Sequence, residues 1–408
     1  MSFKGPVSLK TRLALEFAEV PIVGQIPIGR YLRARYGDRV VTPAKVANFV
    51  RTKRDLLRRS VSVESLPTIL NLDTFNACNL KCPFCATGTG QMDRAKARMS
   101  IDRAKSIIDK VRDHVLEVRF YNWGEPFLNP DIFEIVRYAH DAGLFTIVHS
   151  NLSVRVDHLA EQVVASKLDL LQGSVDGLTQ ETLPIYRRRA EAGLVFDNVR
   201  RIAAERARQG ATHPRIELAF LVFRHNEHEL PQLEVKRRQI GADRFFPRRA
   251  FIYDEQYVPD HPGFQPMQEL FEGTCDYLYS ELTIEASGAV SPCCANTSER
   301  WDVGHIDEVD DVRTLWNGPR YRAMRAFNAG VVEDPDLAGA EPTLCHSCDF
   351  VKHSGTRRRF LSPAPPAFQA QGLAYRSTPQ SADVHAATFY SSPEQLALGQ
   401  DMKGQCAL

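Results

Sequence analysis

The sequence predicts an α/β protein built on a parallel sheet, open or barrel-like. Two observations carry this expectation. From about residue 66, six apolar, β-rich runs alternate with helix-like stretches, the pattern of successive βα units. Cap signals also fall where those helices begin and end.

In chain order, residues 1–65 read as a helical extension, with AKVANFVRTKRDLLRRS its clearest segment. Its basic face reads as solvated, because the chain as a whole is close to neutral. The predicted strands are PTILNLDT, VLEVRFYN, LFTIVHS, LDLLQGS, PRIELAFLVF and ADRFFPRRA. Between them, SIDRAKSIIDKVRDH, PDIFEIVRYAHDAG, VDHLAEQVVAS, FDNVRRIAAERARQG and HNEHELPQLEVKRRQIG read as helices. Ser100 is placed to cap the first of these. Asn129 and Pro130 open the second, and Gly143 closes it. In such sheets the chemistry sits at the C-terminal ends of the strands.

After residue 270 the pattern changes. LTIEASGAVSPCC predicts a short hairpin around Ser287-Gly288, VRTLWNGPRYRAMRAFN a helix, and LCHSCDF brings a cysteine pair. The expected organisation is a helical extension at 1–65, a βα unit at 66–270, a small cysteine-bearing module at 271–360 and a tail at 361–408. That tail is rich in Pro, Ser, Ala and Gln and is expected to be disordered.

The chain has 408 residues, 43% hydrophobic and 25% charged, with net charge +1. Near-neutral charge gives no reason to expect a nucleic-acid or anionic-membrane partner. No apolar run reaches the ~18–20 residues of a membrane span. The opening MSFKGPVSLKTRLALEF holds no signal-peptide core, so a cytoplasmic location is the expectation.

Nine cysteines are present, and they cluster. In a reducing compartment this reads as metal ligation and not as disulfides. Cys78, Cys82 and Cys85 follow the first strand as C-x3-C-x2-C. Structural zinc normally takes four protein ligands. Three cysteines suit a 4Fe–4S cluster in which one iron stays open for another ligand. A zinc loop with a distant fourth ligand is the alternative that spacing leaves standing.

The loop CNLKCPFC, with Phe84 before its third cysteine, resembles the signature of the radical S-adenosylmethionine superfamily. Further motifs at successive strand ends agree. YNWGEPFLNP ends the second strand with Gly124, Glu125 and Pro126. VHSN ends the third with Ser150 and Asn151. GSVDG ends the fourth with Ser174, Asp176 and Gly177, and Tyr186-Arg187 follow. The resemblance covers residues 66–360 and implies a partial (β/α)6 barrel. It implies a 4Fe–4S cluster on Cys78, Cys82 and Cys85 and an S-adenosylmethionine site at Gly124, Glu125, Pro126, Ser150, Asn151, Ser174 and Arg187. The charges fit such a cofactor. Glu125 suits its ammonium and Arg187 its carboxylate, while Ser150, Asn151 and Ser174 suit ribose and adenine.

The C-terminal module is similar to the SPASM/twitch extension of the same superfamily. Twelve residues separate Cys275 from Gly288, and four more separate Gly288 from Cys293. Cys345 and Cys348 follow as C-x2-C. The cysteines of a full two-cluster SPASM pattern are missing, which implies the shorter twitch form. The implied ligands of one auxiliary 4Fe–4S cluster are Cys275, Cys293, Cys345 and Cys348, with Cys294 a buried thiol. Structural zinc on the same four cysteines satisfies the spacing equally well.

The resemblance implies reductive cleavage of S-adenosylmethionine to a 5′-deoxyadenosyl radical and hydrogen abstraction from a substrate. It also implies oxidation of the substrate radical through the auxiliary cluster and a reducing partner such as flavodoxin or ferredoxin. With one auxiliary cluster and no evident peptide-recognition module, the expectation leans to a small-molecule dehydrogenase. The alternative is modification of a ribosomally made peptide. A non-catalytic iron–sulfur or zinc protein is the reading from another class. Asp254, Glu255, Arg249 and His149 are candidate bases by position, but packing or solvated roles suit each of them better.

Overall fold

The computed structural model describes residues 25–265, 275–330, 343–346 and 348. The expected disorder of the tail falls outside these residues. Nine strands form one sheet, in the order β6-β5-β4-β3-β2-β1-β7-β8-β9. They are β1 (Ile69–Leu72), β2 (Glu117–Phe120), β3 (Phe145–Ser150), β4 (Leu170–Ser174) and β5 (Arg215–Val222), followed by β6 (Arg244–Arg249), β7 (Glu281–Ile284), β8 (Ala289–Ser291) and β9 (Gly304–His305). Strands β1 to β6 are parallel neighbours, as expected.

Two helices precede the sheet, α1 (Gln25–Tyr36) and α2 (Pro43–Arg58). The crossovers carry α3 (Ile101–Val111), α4 (Ile132–Asp141), α5 (Leu159–Ala165), α6 (Ala192–Arg208) and α7 (Leu233–Ile240). Ser100 caps α3, accepting from the Arg103 N–H at 3.4 Å. Asn129 does not cap α4 directly. It accepts from the Asp131 N–H at 3.1 Å, and the helix begins at Ile132. Gly143 follows that helix with φ +79°, a left-handed conformation that glycine adopts without a Cβ clash.

The helices bury their apolar faces on the sheet. Ile107, Ile108, Val111, Ile135, Val136, Val163, Val199 and Ile202 are all buried in one core with Leu70, Val118, Val148 and Leu171. The other face of the sheet is polar and also buried. Arg119 donates to Glu117 at 2.6 Å and to Glu281 at 3.1 Å, and Asn71 donates to Glu281 at 2.8 Å. Tyr36 at the end of α1 reaches this network, donating to Glu117 at 2.8 Å. Such a network persists in low dielectric because each charge has a partner.

The C-terminal module joins the sheet directly. β7 pairs in parallel with β1, and β8 turns back antiparallel through Gly288, at φ +97°. The expected single helix over VRTLWNGPRYRAMRAFN is two segments, Arg313–Trp316 and α8 (Pro319–Ala329). The break has a local cause. Pro319 has no N–H to continue a helix, but it suits the first turn of a new one.

Candidate active site and second cysteine cluster

The C-terminal ends of the parallel strands surround a cavity of roughly 880 Å³, open mouth included. Cys78, Cys82, Cys85, Gly124, Glu125, Ser150, Asn151, Ser174 and Arg187 all line it. Of the residues expected at the first site, Pro126 alone is outside the lining. It starts the short helical turn Pro126–Leu128 behind Glu125.

The cysteine loop is fixed from several sides. The Glu125 N–H donates to the Ala77 carbonyl at 3.0 Å, tying the Gly-Glu-Pro turn to the residue before Cys78. Gly124 is required there by close approach: a Cβ at this position falls 1.6 Å from the Phe75 carbonyl oxygen. Gly88 packs on the Cys82 backbone in the same manner, its Cβ position 2.4 Å from the Cys82 carbonyl oxygen. Phe84 sits in an aromatic nest with Tyr186, Tyr253 and Tyr257, at centroid distances of 5.6, 5.5 and 5.0 Å.

Asn151 joins two functional groups. Its side chain donates to Cys78 Sγ at 3.7 Å, and its backbone N–H donates to Glu125 Oε2 at 2.8 Å. Ser150 donates to Glu125 Oε1 at 2.8 Å. Glu125 is 1% exposed. Burial pushes its carboxyl up to about 7, against the pull of these hydrogen bonds. A cationic group bound in the cavity would favour the ionised form.

Arg187 arrives already engaged. Its Nε donates to Asp176 at 2.5 Å, and Asp176 also accepts from the Leu221 N–H at 2.7 Å. The guanidinium also lies beside the Cys82 sulfur. Burial holds the Cys78 and Cys82 thiols up, at about 12 and about 11. These shifts describe the bare thiols, and a bound metal reverses them. The donor set fits an iron–sulfur group: three soft sulfurs on one loop face a cavity with space on their fourth side.

The second set of cysteines also converges. Cys275 lies within electrostatic reach of Cys345, Cys348 and Cys293, and burial, ahead of these neighbours, raises its thiol well above the usual range. Asn328 on α8 holds two of them: its oxygen accepts from the Cys275 N–H at 3.4 Å, and its amide donates to Cys345 Sγ at 3.7 Å. Four sulfurs from three separate stretches of sequence fit a closed iron–sulfur site. Cys294 is 3% exposed, buried as expected.

Of the other candidates, Asp254 and Arg249 make local contacts. Asp254 caps a helical turn, accepting from Gln256 at 3.1 Å, and Arg249 donates to the Gly263 carbonyl at 3.1 Å. Neither these residues nor Glu255 line the cavity, but His149 does. Sequence reasoning missed Tyr121, Asn122, Trp123, Gln172 and Arg248 in the lining. For Gln172 and Arg248, which lie on strands, the available signal was alternation, since residues at every second position share one face.

Residues 72–214 match the radical SAM superfamily, and residues 275–349 match the SPASM iron–sulfur cluster-binding domain. The chain is 26% identical to the PqqA peptide cyclase of Rhodopseudomonas palustris over 395 residues, covering 85% of this chain and 96% of that protein. It is 29% identical over 127 residues to the AdoMet-dependent heme synthase of Methanosarcina barkeri, a match spanning only 36% of that protein. Against the mycofactocin maturase MftC of Mycobacterium tuberculosis, identity is 26% over 181 residues, 43% of each chain. In fold, the chain resembles Streptococcus suis SuiB bound to S-adenosylmethionine, with TM-score 0.52, 16% identity and coverage of 84% of this chain and 83% of that one. No helix among the described residues is long and apolar enough to cross a membrane.

Proposed function

This chain belongs to the radical S-adenosylmethionine superfamily and carries a SPASM-type iron–sulfur domain, and from that premise we propose that it modifies a ribosomally made peptide. The cofactors of such a protein are a 4Fe–4S cluster, S-adenosylmethionine and an auxiliary iron–sulfur cluster. The observation that carries the reading at the first site is the double role of Asn151. It binds Cys78 with its side chain and Glu125 with its backbone, so the thiol loop and the buried carboxylate share one wall.

Cys78, Cys82 and Cys85 hold the cluster in this reading, and Glu125 receives the cofactor's ammonium. Ser150, Asn151 and Ser174 offer hydroxyl and amide groups to its ribose and adenine. Arg187, oriented by Asp176, presents its remaining N–H donors to the cofactor carboxylate. When bound, the cluster and S-adenosylmethionine would supply radical hydrogen-abstraction chemistry in this cavity. The buried rings of Trp123 and Tyr186 line the cavity and cover part of its wall with apolar surface. Cys275, Cys293, Cys345 and Cys348 hold the auxiliary cluster. A flavodoxin- or ferredoxin-type protein supplies electrons.

Peptide modification is preferred to small-molecule dehydrogenation because of the likeness to PqqA peptide cyclase, which runs over nearly the whole of both chains. One auxiliary cluster and no evident peptide-recognition module favour a small molecule, but they weigh less than a likeness over both chains. The test is anaerobic reconstitution with S-adenosylmethionine, dithionite and a short precursor peptide encoded beside this gene. Formation of 5′-deoxyadenosine together with a mass change in the peptide is expected. Cofactor cleavage with an unaltered peptide, alongside oxidation of a small hydroxylated compound, would return the reading to a dehydrogenase.

A further inference from the structure

The cofactor roles above leave one wall of the cavity unused. Tyr121 just beyond β2, His149 on β3, Gln172 on β4 and Arg248 on β6 all line it. Register explains their meeting. His149 lies opposite Gln172 across β3 and β4, and Leu221 lies opposite Arg248 across β5 and β6. Every second residue of a strand points to the same face.

This wall carries unmet hydrogen-bonding capacity. Gln172 is 1% exposed, and neither its amide oxygen nor its amide nitrogen completes a hydrogen bond. The amide stands beside the His149 ring without the geometry of a bond to it. His149 Nε2 is likewise unmatched, and so is the Tyr121 hydroxyl, which stands beside the Arg119 guanidinium without the geometry of a bond to it. A buried polar atom without a partner loses its hydration with nothing in return, so four on one wall point to a ligand that completes them. Tyr121 stacks on His149 at 4.0 Å, which fixes both rings.

The wall is also cationic. Arg248 lies within electrostatic reach of Tyr121 and His149. Burial lowers its guanidinium to about 10, still charged near neutrality. Burial first, then Arg248 and Arg119, keep the His149 imidazole neutral. Glu217 also lies within electrostatic reach of Arg248, while one of its oxygens pairs with Arg215 at 3.0 Å. A guanidinium, an amide NH2, a phenol O–H and a neutral imidazole together form a donor-rich, positively charged surface. Such a surface selects a carboxylate over an amide of the same shape.

We propose that Tyr121, His149, Gln172 and Arg248 form a substrate subsite that takes the side-chain carboxylate of a glutamate or aspartate in the peptide. The assignment rests on the peptide-modifying reading above. The methionyl carboxylate of the cofactor shares this chemistry, and the test separates the two sources.

The test uses the reconstituted holoenzyme with S-adenosylmethionine. N-acetyl-glutamate amide is the probe and N-acetyl-glutamine amide the isosteric control, followed by ligand-detected NMR titration. The acidic probe is expected to bind at least about tenfold tighter than the control. Arg248→Gln and Gln172→Leu are each expected to weaken it at least about tenfold, and by more than they weaken S-adenosylmethionine. Two variants on different strands guard against one that fails to fold, with iron content as the check. Equal affinity for the two compounds, or binding of neither, overturns the subsite. A loss of S-adenosylmethionine affinity as large as the loss of probe affinity also overturns it, because the carboxylate is then the cofactor's own. If the wild type yields no 5′-deoxyadenosine, the peptide-modifying reading fails and the subsite falls with it. If it yields 5′-deoxyadenosine and the probes are not discriminated, the subsite alone falls.

Discussion

Replacing Gly124 by alanine tests whether the Gly-Glu-Pro turn positions the cofactor site. The added Cβ falls 1.6 Å from the Phe75 carbonyl oxygen, and real Cβ contacts do not fall under 3.0 Å. The turn must therefore retreat by at least 3.0 − 1.6 = 1.4 Å. The obstacle is backbone, so no side-chain rotation relieves it. Glu125 is the next residue, and its N–H bond to Ala77 is 3.0 Å long. A retreat of that size along the bond breaks it and carries the carboxylate away from the cysteine loop. A misplacement of about 1 Å costs on the order of 100-fold in rate. Gly124→Ala should lower the initial rate of 5′-deoxyadenosine formation about 100-fold or more, with iron content retained. The control is Gly193→Ala at the start of α6, where an added Cβ meets nothing within 4 Å; its rate should match the wild type. A Gly124→Ala rate within about threefold of wild type would refute the positioning argument, since it corresponds to well under 1 kcal/mol.

Three further outcomes are expected. Cys78→Ala should abolish 5′-deoxyadenosine formation, whereas Cys345→Ala should spare it and block peptide turnover; iron analysis should fall from about eight to about four per chain in each. Arg119→Met removes the buried cation shared by Glu117 and Glu281, a loss of about 3–5 kcal/mol; the melting temperature should drop by roughly 5–15 °C, and adding Glu281→Gln should restore part of it. Asp169 accepts from Arg39 at 2.9 and 2.8 Å and from Thr146 at 2.8 Å. Burial pushes its carboxyl up, but the His140 ring at 3.4 Å, the Thr146 N–H and the charge of Arg39 outweigh burial and leave it below the usual range. A lowered folded value stabilises the protein above the unfolded value of about 3.9 and is lost as pH falls through the folded value. The melting-temperature gap between wild type and Asp169→Asn should thus hold from about pH 8 to pH 5 and shrink below about pH 4.

The six parallel strands were legible because strands covered by helices read as apolar runs. The polar side of the same strands was not. Glu117 and Arg119 in VLEVRFYN look like solvent-facing residues, yet both are about 1% exposed. Their burial depends on Glu281, more than 160 positions away, and on Tyr36 from α1. No local pattern encodes such a partner. The same limit hid the pairing of β7 with β1. The first site was legible for the opposite reason: each motif ends its own strand, so chain order alone orders them round the cavity. Cys275, Cys293 and the Cys345–Cys348 pair were legible as motifs, but Asn328, which binds two of them, was not. Pro319 marks the break in the last helix in plain sight, since proline is favoured at a first helical position.

The continuity of the sheet sets how the two cysteine sites relate. β1 is paired with β2 on one side and β7 on the other, all parallel. Cys78 follows β1 at its C-terminal end, whereas Cys275 precedes β7 at its N-terminal end. β8 runs antiparallel to β7, so Cys293, beyond β8, returns to that same end. The two sites therefore hang from opposite ends of one hydrogen-bonded strand pair. Four strand residues span roughly 13 Å, and the hydrogen-bonded ladder, not a flexible linker, joins those two ends. Between them runs the interior column of Tyr121, Arg119 and Glu281, closed at the lower end by Tyr277, which feels both Tyr121 and Cys275. The proposed carboxylate subsite begins at Tyr121, at the upper end of that column. A peptide side chain anchored there stands between the radical-generating site and the auxiliary site, held by strands that tie both in place.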